Sequence, residues 1–456
     1  MAAKESSSEP ATPSAISDIN KTKIYYGIFK EQQSLLPMVE DDDDDGDDEA
    51  GGDAESKKKK KNKSKTSSLK KMKADPHAPP ANRIPLPEIS DSYKADRQNA
   101  LKEIMKRVKL CPPDKLPSIC QYSLLNAHSG ACCCDITEDS STLAVGYGSS
   151  LVQTWSLTSE KLKPLRKASE LEDVDKDSDD VMEQMLDESA GSTNVSFHGH
   201  SGPVYGCSFS PDKRMLLTCS EDSTVRLWSM YTWSSLAIYR LGGFPFWDVK
   251  FGPFGYYFAT AGGDKTALFW ALDKPHPLRI FIGHESDVNT VAFHPNSNYV
   301  ATGSDDCTVR MWDVASGQCV RHFTEHKGGI HSLQFSGDGR LLASGSSDGH
   351  VMLWSVGQGR LMIDSASHES TVHSIAFSRE GAVMATGGMD NKVKVHYMSP
   401  IMAGGAEVDD HHSNAPPKQS VVGSMDMGDY FTKSTPILHL HFTRRNVLLS
   451  VGAYGQ

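Results

Sequence analysis

The chain has 456 residues, enough for about three domains at roughly 150 residues each, and carries 47 Lys and Arg against 58 Asp and Glu, a net charge of -11. That acidic balance argues against whole-surface attraction to nucleic acid or anionic membrane, and a hydrophobic fraction of 38% falls below the roughly 45–50% of compact domains, so part of the chain is expected to stay unfolded. No run approaches 18 apolar residues and Met1 to Glu9 leads into no apolar signal segment, so no membrane partner is expected and the protein is read as intracellular.

Residues 1–90 lack apolar periodicity and carry blocks of opposite charge: Asp41 to Glu49 is acidic except for Gly46, and Lys57 to Lys65 is basic except for Asn62 and Ser64. Such blocks cannot bury enough surface to offset ordering entropy, and a disordered tail is expected. Lys57, Lys58, Lys59, Lys60, Lys61, Lys63 and Lys65 suit a nuclear-import signal, because an extended basic segment fits an acidic receptor groove. A solvated linker is the plainer reading. Within the tail, Lys23-Ile24-Tyr25-Tyr26-Gly27-Ile28-Phe29 concentrates apolar and aromatic residues, as a docking peptide does. Between residues 91 and 116, Leu101, Ile104, Met105 and Val108 make the stripe of one short helix, which Pro112 and Pro113 end.

From residue 117 to 456 the chain is a repeat. Asp222, Asp264, Asp306, Asp348 and Asp390 are 42 residues apart, as are Phe209, Phe251, Phe293, Phe335 and Phe377. Trp228, Trp270, Trp312 and Trp354 keep the same step, with His396 in the next slot. A period of about 40–45 residues with Gly-His early and Trp-Asp late resembles WD40 repeats, and the resemblance implies an all-β propeller of four-stranded blades. In the unit His284 to Trp312, strands are expected at Val288 to Phe293, Tyr299 to Ser304 and Cys307 to Trp312, with a fourth near Cys319 to Thr324.

The segment Ile136 to Trp155 aligns with the unit after it once an insertion at about 160–197 is removed, and Val181, Met182, Met185 and Leu186 suggest a short helix there. A second insertion spans 399–433. Ile437 to Phe442 and Val447 to Ala453 then supply two strands, and Ser118 to Asn126 is expected to complete their blade. Seven blades closed by both chain ends result.

His, Ser or Thr, Asp and Trp recur in the good units: His200, Asp222 and Trp228; His284, Asp306 and Trp312; His326, Asp348 and Trp354. A hydrolase triad needs such residues once, whereas here the 28-residue step from His to Trp returns three times. The reading is a structural hydrogen-bond chain that gives the indole N–H a buried partner. Gly242 in place of His, His396 in place of Trp and Ser149 in place of Asp predict looser blades. The nine cysteines show no paired framework, and adjacent strand residues Cys132, Cys133 and Cys134 cannot converge on one metal ion. No phosphate loop, HExxH or nucleophile elbow is found, so neither enzyme nor cofactor is expected.

Between Gly199 and Met398 there are 16 Lys and Arg against 18 Asp and Glu. That near balance leaves no positive field for direct, sequence-specific nucleic-acid binding. A disc that binds proteins remains. Tyr205, Trp247, Asn289, His331 and His373, each five residues after the His position, are expected near one mouth of the central channel as interface anchors. Packing against neighbouring loops is the plainer role.

Beyond the repeat, Asn82-Arg83-Ile84-Pro85-Leu86-Pro87-Glu88, Gly199-His200-Ser201-Gly202-Pro203-Val204-Tyr205-Gly206, Phe293-His294-Pro295-Asn296-Ser297-Asn298-Tyr299-Val300-Ala301-Thr302-Gly303-Ser304, Thr432-Lys433-Ser434-Thr435-Pro436 and His441-Phe442-Thr443-Arg444-Arg445-Asn446 resemble the subunit 5 family of the general transcription factor TFIID, in a full-length, shortened or paralogous form. The resemblance runs from Lys21 to Tyr454. It implies a nuclear scaffold in RNA polymerase II initiation, with a propeller that docks histone-fold subunits, and a relative in SAGA-type acetyltransferase complexes. The family's helical N-terminal half, with its LisH motif and self-associating domain, is not in this sequence. A ubiquitin-ligase substrate receptor is the second class. Its adaptor motif wants Arg two residues after Trp-Asp, where Trp312-Asp313 is followed by Val314-Ala315. A phosphohistone or methyl-lysine reader would need an acidic or aromatic cage at the channel mouth.

Overall fold

The computed structural model describes residues 18–27, 77–80, 83–85, 91–106, 110, 116–125, 127, 130–166, 168–171, 185–187, 189–398 and 426–454. Lys57 to Lys65 lie outside the described residues, as do Val108, Val181, Met182 and 399–425.

Among the described residues, seven sheets form the blades, six of four strands and one of three. Blade 4 shows the rule by which each is built. Val288–Phe293 is mostly buried, Tyr299–Ser304 is wholly buried, Val309–Asp313 carries Trp312, and Cys319–Phe323 is the outer strand. All three pairings are antiparallel. The second strands are fully buried because blades stack on both of their faces, so they read as continuous small or apolar runs such as Leu341–Ser346. The third strand of blade 4 starts two residues later than the sequence predicts. Cys307 holds the turn with φ 63, a left-handed conformation that ends the strand.

Hydrophobic clusters fill the seams between blades. One joins Ala301, Met311, Ile330, Leu342 and Trp354 across blades 4 and 5, and another joins Leu217, Val249, Phe258 and Trp270 across blades 2 and 3. Polar ties cross the same seams near the axis. Phe209 N donates to Asp135 Oδ2 at 2.7 Å, Phe251 N to Ser208 Oγ at 3.1 Å, Val291 N to Asp248 Oδ2 at 3.1 Å, and Leu440 N to Ser374 Oγ at 2.9 Å.

Blade 7 contains Ile437–Phe442 and Leu448–Ala453, and Ile119–Leu124 from the other end of the chain closes it. The closing strand pairs in parallel, with Ile119 opposite Leu448 and Leu124 opposite Ala453. An outer strand always runs in the direction of the second strand of its blade. With three strands among the described residues, it therefore lies directly against that second strand.

Three expectations are corrected. The outer strands of blades 1 and 6, Asn194–Phe197 and Asp426–Phe431, fall inside segments assigned to insertions. Leu186 bridges Leu165 in an extended pairing rather than joining a helix; the helix described in that insertion is Ala168–Leu171. Parts of the tail expected to be disordered, 18–27 and 83–85, lie on the ring, with Ile24 and Ile84 in its hydrophobic clusters. The helix before the ring runs Asp91–Met105, with Ala100 and Ile104 buried and Glu103 Oε2 accepting from Arg444 Nη1 at 3.0 Å. No helix among the described residues is long and apolar enough to cross a membrane.

Candidate functional site: buried relays and two channel mouths

Blades 2 and 4 build the same relay. His284 Nδ1 lies 2.8 Å from Asp306 Oδ2, His284 Nε2 lies 2.7 Å from Thr302 Oγ1, and Trp312 Nε1 donates to that hydroxyl at 2.9 Å. In blade 2, His200 lies 2.9 Å from Asp222 and 2.8 Å from Thr218, which accepts from Trp228 Nε1 at 2.8 Å. Indole N–H can only donate and a carboxylate only accepts. The chain therefore runs one way: Trp donates to Thr, Thr to His Nε2, and His Nδ1–H to Asp. Burial lowers both imidazoles, keeping them neutral. Burial by itself would raise the Asp222 carboxyl, but hydrogen bonds from Thr224, His200 and Ser201 N bring it down to about 2.

The other blades depart from this pattern in ways the repeat did not announce. Blade 6 has the whole chain with His396 in place of Trp. His368 Nδ1 is 3.0 Å from Asp390, its Nε2 is 2.9 Å from Thr386 Oγ1, and His396 Nε2 is 3.1 Å from the same hydroxyl. It is not loosened at this point. Blade 5, expected to be complete, is broken: His326 and Trp354 both reach Ser344 Oγ, at 2.6 and 2.8 Å, but His326 Nδ1 is buried with no hydrogen-bond partner among the described residues. Asp348 instead accepts from His350 N at 3.0 Å. Blade 3, lacking the His, keeps Trp270 Nε1 on Thr260 Oγ1 at 3.1 Å. The relay hydroxyls of Thr218, Thr302, Ser344 and Thr386 are wholly buried. A nucleophile must meet its substrate, and these hydroxyls are shut away from solvent.

The five residues expected at a channel mouth are half-buried, and two adjacent pairs of rings lie close together. The Tyr205 and Trp247 rings are 5.0 Å apart and those of His331 and His373 6.3 Å, while Asn289 Nδ2 donates to Ile330 O at 3.3 Å. Carboxylates join this collar, with Trp247 Nε1 donating to Asp287 at 3.3 Å and Tyr205 OH to Glu221 at 3.5 Å. The rings are thus held in place while part of each remains accessible.

At the opposite ends of the inner strands, Arg97 of the helix Asp91–Met105 stands beside the other mouth. A cavity of about 400 Å³ there is lined by Arg97, Asp135, Glu138, Phe209, Arg379 and His441. Arg379 Nη2 donates to Glu138 at 3.1 Å. Deeper along the channel wall, burial raises the carboxyls of Asp135 and Asp248. Lys250, which burial would lower, is raised by those two carboxylates. Among the described residues no group of three His, Cys, Asp or Glu is placed to hold a metal ion.

Sequence reasoning missed a third site, on the rim. Asn296, Tyr299, Arg321 and Asp313 bind the segments 18–27 and 83–85 there. The signal was present in the aromatic cluster Lys23 to Phe29 and in an Asn-rich turn, Asn296 to Asn298, that is buried where turns usually face water.

The architecture and the recurring relay define a seven-bladed WD40 β-propeller. The family model described as "WD domain, G-beta repeat" matches residues 191–229, 275–313, 317–355 and 362–396. More particularly, the chain is similar to proteins named as TFIID subunit 5 and to a TAF5-like protein. It is 47% identical over 221 residues to "Transcription initiation factor TFIID subunit 5" of Drosophila melanogaster, which covers 48% of this chain and 31% of that protein. It is 39% identical over 162 residues to "SAGA complex/transcription factor TFIID complex subunit Taf5" of Schizosaccharomyces pombe, covering 36% and 22%. It is 37% identical over 145 residues to the human "TAF5-like RNA polymerase II p300/CBP-associated factor-associated factor 65 kDa subunit 5L", covering 30% and 24%. The matched part thus spans less than a third of the length of these relatives.

Proposed function

We propose that this chain is a non-catalytic scaffold subunit of TFIID in the nucleus, and that its propeller docks histone-fold subunits as the RNA polymerase II pre-initiation complex assembles. The carrying observation is the 47% identity over 221 residues to a protein named as TFIID subunit 5. A ring whose relay hydroxyls are all buried supports a scaffold over an enzyme. The half-exposed collar of Tyr205, Trp247, Asn289, His331 and His373, backed by Glu221 and Asp287, supplies aromatic anchors and negative charge suited to a basic partner surface. Lys57 to Lys65 would serve as the import signal.

Membership of a SAGA-type complex is the second reading, favoured by the printed names of the fission-yeast and human relatives. A ubiquitin-ligase receptor is disfavoured, because no Arg follows Trp312-Asp313 at the adaptor position and Asp313 is taken by Arg83 Nη2 at 2.8 Å. Affinity purification of the tagged chain from nuclear extract tests the assignment. Histone-fold subunits with TATA-binding protein support TFIID, acetyltransferase subunits support SAGA, and recovery of a cullin adaptor instead overturns both.

A further inference from the structure

The rim of blades 4 and 5 holds the segment 18–27 by contacts that resemble a receptor and its peptide more than a chain passing over a surface. Asn20 pairs its whole amide with one residue of the outer strand of blade 4. Its Oδ1 accepts from His322 N at 2.8 Å and its Nδ2 donates to His322 O at 3.0 Å. A free strand edge is thereby satisfied by a side chain. Two residues on, Thr22 O accepts from Arg321 Nη1 at 2.8 Å. Arg321 is only 2% exposed, and its other bonds go to the carbonyls of Val320, Val356 and Gly357. A buried guanidinium held by carbonyls alone needs every acceptor it has.

Ile24 is 4% exposed among Val320, Val356 and Tyr299 of the seam cluster. Tyr25 N donates to Tyr299 OH at 2.9 Å, and Asn296 Nδ2 donates to Tyr25 O at 2.8 Å and to Gly27 O at 3.0 Å. Asn296 and Tyr299 are each 1% exposed. The ring has therefore buried three polar side chains, Asn296, Tyr299 and Arg321, whose hydrogen bonds are completed by the backbone of the segment. Gly357 leaves room for the Tyr26 ring: a Cβ there would stand 2.9 Å from Tyr26 Cε1.

We propose that this rim is a peptide-recognition site in its own right. Its ligand class is a peptide with a helical turn that ends in Asn, then an open run with an aliphatic residue four positions on and Tyr-Gly two further, and residues 20–27 are its resident ligand in cis. The ligand is retained by the site and not by the covalent link through 28–76. Recognition combines backbone bonding with one apolar pocket and one amide reader, the logic of strand-addition sites. The site lies on the rim, away from both channel mouths, so the segment anchors whatever precedes it without covering the collar.

The test uses the whole chain. A protease recognition sequence is placed between Gly51 and Gly52, the protein is cleaved, and gel filtration is run in high salt to screen the charged blocks. The N-terminal fragment is expected to co-elute with the ring. In the N20A and I24D double variant, whose changes lie on the ligand and spare the ring, its release is expected to be about a hundredfold faster. Excess synthetic peptide of residues 16–29 should displace the wild-type fragment. Separation of the wild-type fragment on cleavage, or equal retention of the double variant, overturns the proposal. Neither result depends on which complex the protein joins.

Discussion

Trp312 Nε1 donates to the hydroxyl of Thr302 at 2.9 Å while His284 Nε2 sits 2.7 Å from the same oxygen, so one buried hydroxyl satisfies an indole and an imidazole together. T302V keeps the shape and removes the hydroxyl, leaving two buried polar groups unpaired. Each costs about 1–3 kcal/mol, and urea denaturation should show a loss of about 2–6 kcal/mol with the slope unchanged. A loss below 1 kcal/mol would mean the relay is decorative.

Ser450 gives the opposite expectation. It faces Leu440 as Thr302 faces Val291, and it is fully buried, yet its hydroxyl has no partner among the described residues. The reason is that Ile119 stands opposite Leu448, where blade 4 sets Trp312 opposite Val300, and the Ile119 side chain brings no N–H. S450A should therefore be neutral or stabilising by up to about 1 kcal/mol in the same assay, against the sign seen for T302V. A clear destabilisation would show that this hydroxyl is bonded.

Acid should weaken the fold well above the range where carboxylates titrate. Burial pulls His294 and His441 down to about 4, while an unfolded His takes its proton near pH 6.5. Between those values the unfolded chain binds protons that the folded chain does not, so stability is full above about 6.5 and falls as pH drops toward 4. Each imidazole contributes a slope approaching about 1.4 kcal/mol per pH unit. Asp222, held to about 2, adds its loss only below the ordinary carboxyl range. Urea midpoints from pH 7.5 to 4 should trace this decline, and H294Q should flatten it by about one proton. A pH-independent midpoint through that window would refute it.

The channel-mouth collar should be separable from stability. W247A and H331A remove half-buried rings that contact Tyr205 and His373, so thermal unfolding should move by no more than about 1–2 kcal/mol. Recovery of histone-fold partners in the affinity purification should drop severalfold. Unchanged recovery would move the docking surface elsewhere on the ring.

The residue pattern by itself determined the repeat and the number of blades, but it gave the outer strands of blades 1 and 6 to insertions. A 42-residue step in Phe, Asp and Trp is a local property of each unit, written by which side chains must face a neighbouring blade. Relay membership was less legible. The spacing of His326, Asp348 and Trp354 matches that of His284, Asp306 and Trp312, yet the His326 to Asp348 bond does not form, whereas His396 serves where Trp was expected. Spacing says which residues share a unit, but whether a carboxylate meets an imidazole depends on the turn that carries it.

Only the tertiary structure decided how the ends of the chain are used. The meeting of Tyr25 with Tyr299 spans 274 residues, and the parallel seat of Ile119–Leu124 against Leu448–Ala453 joins opposite ends of the ring. Such contacts exist because ring closure brings distant surfaces together, and no periodicity within a single unit encodes that curvature. The same holds for Asn296 and Arg321. Their burial makes sense once a second segment arrives to complete their hydrogen bonds.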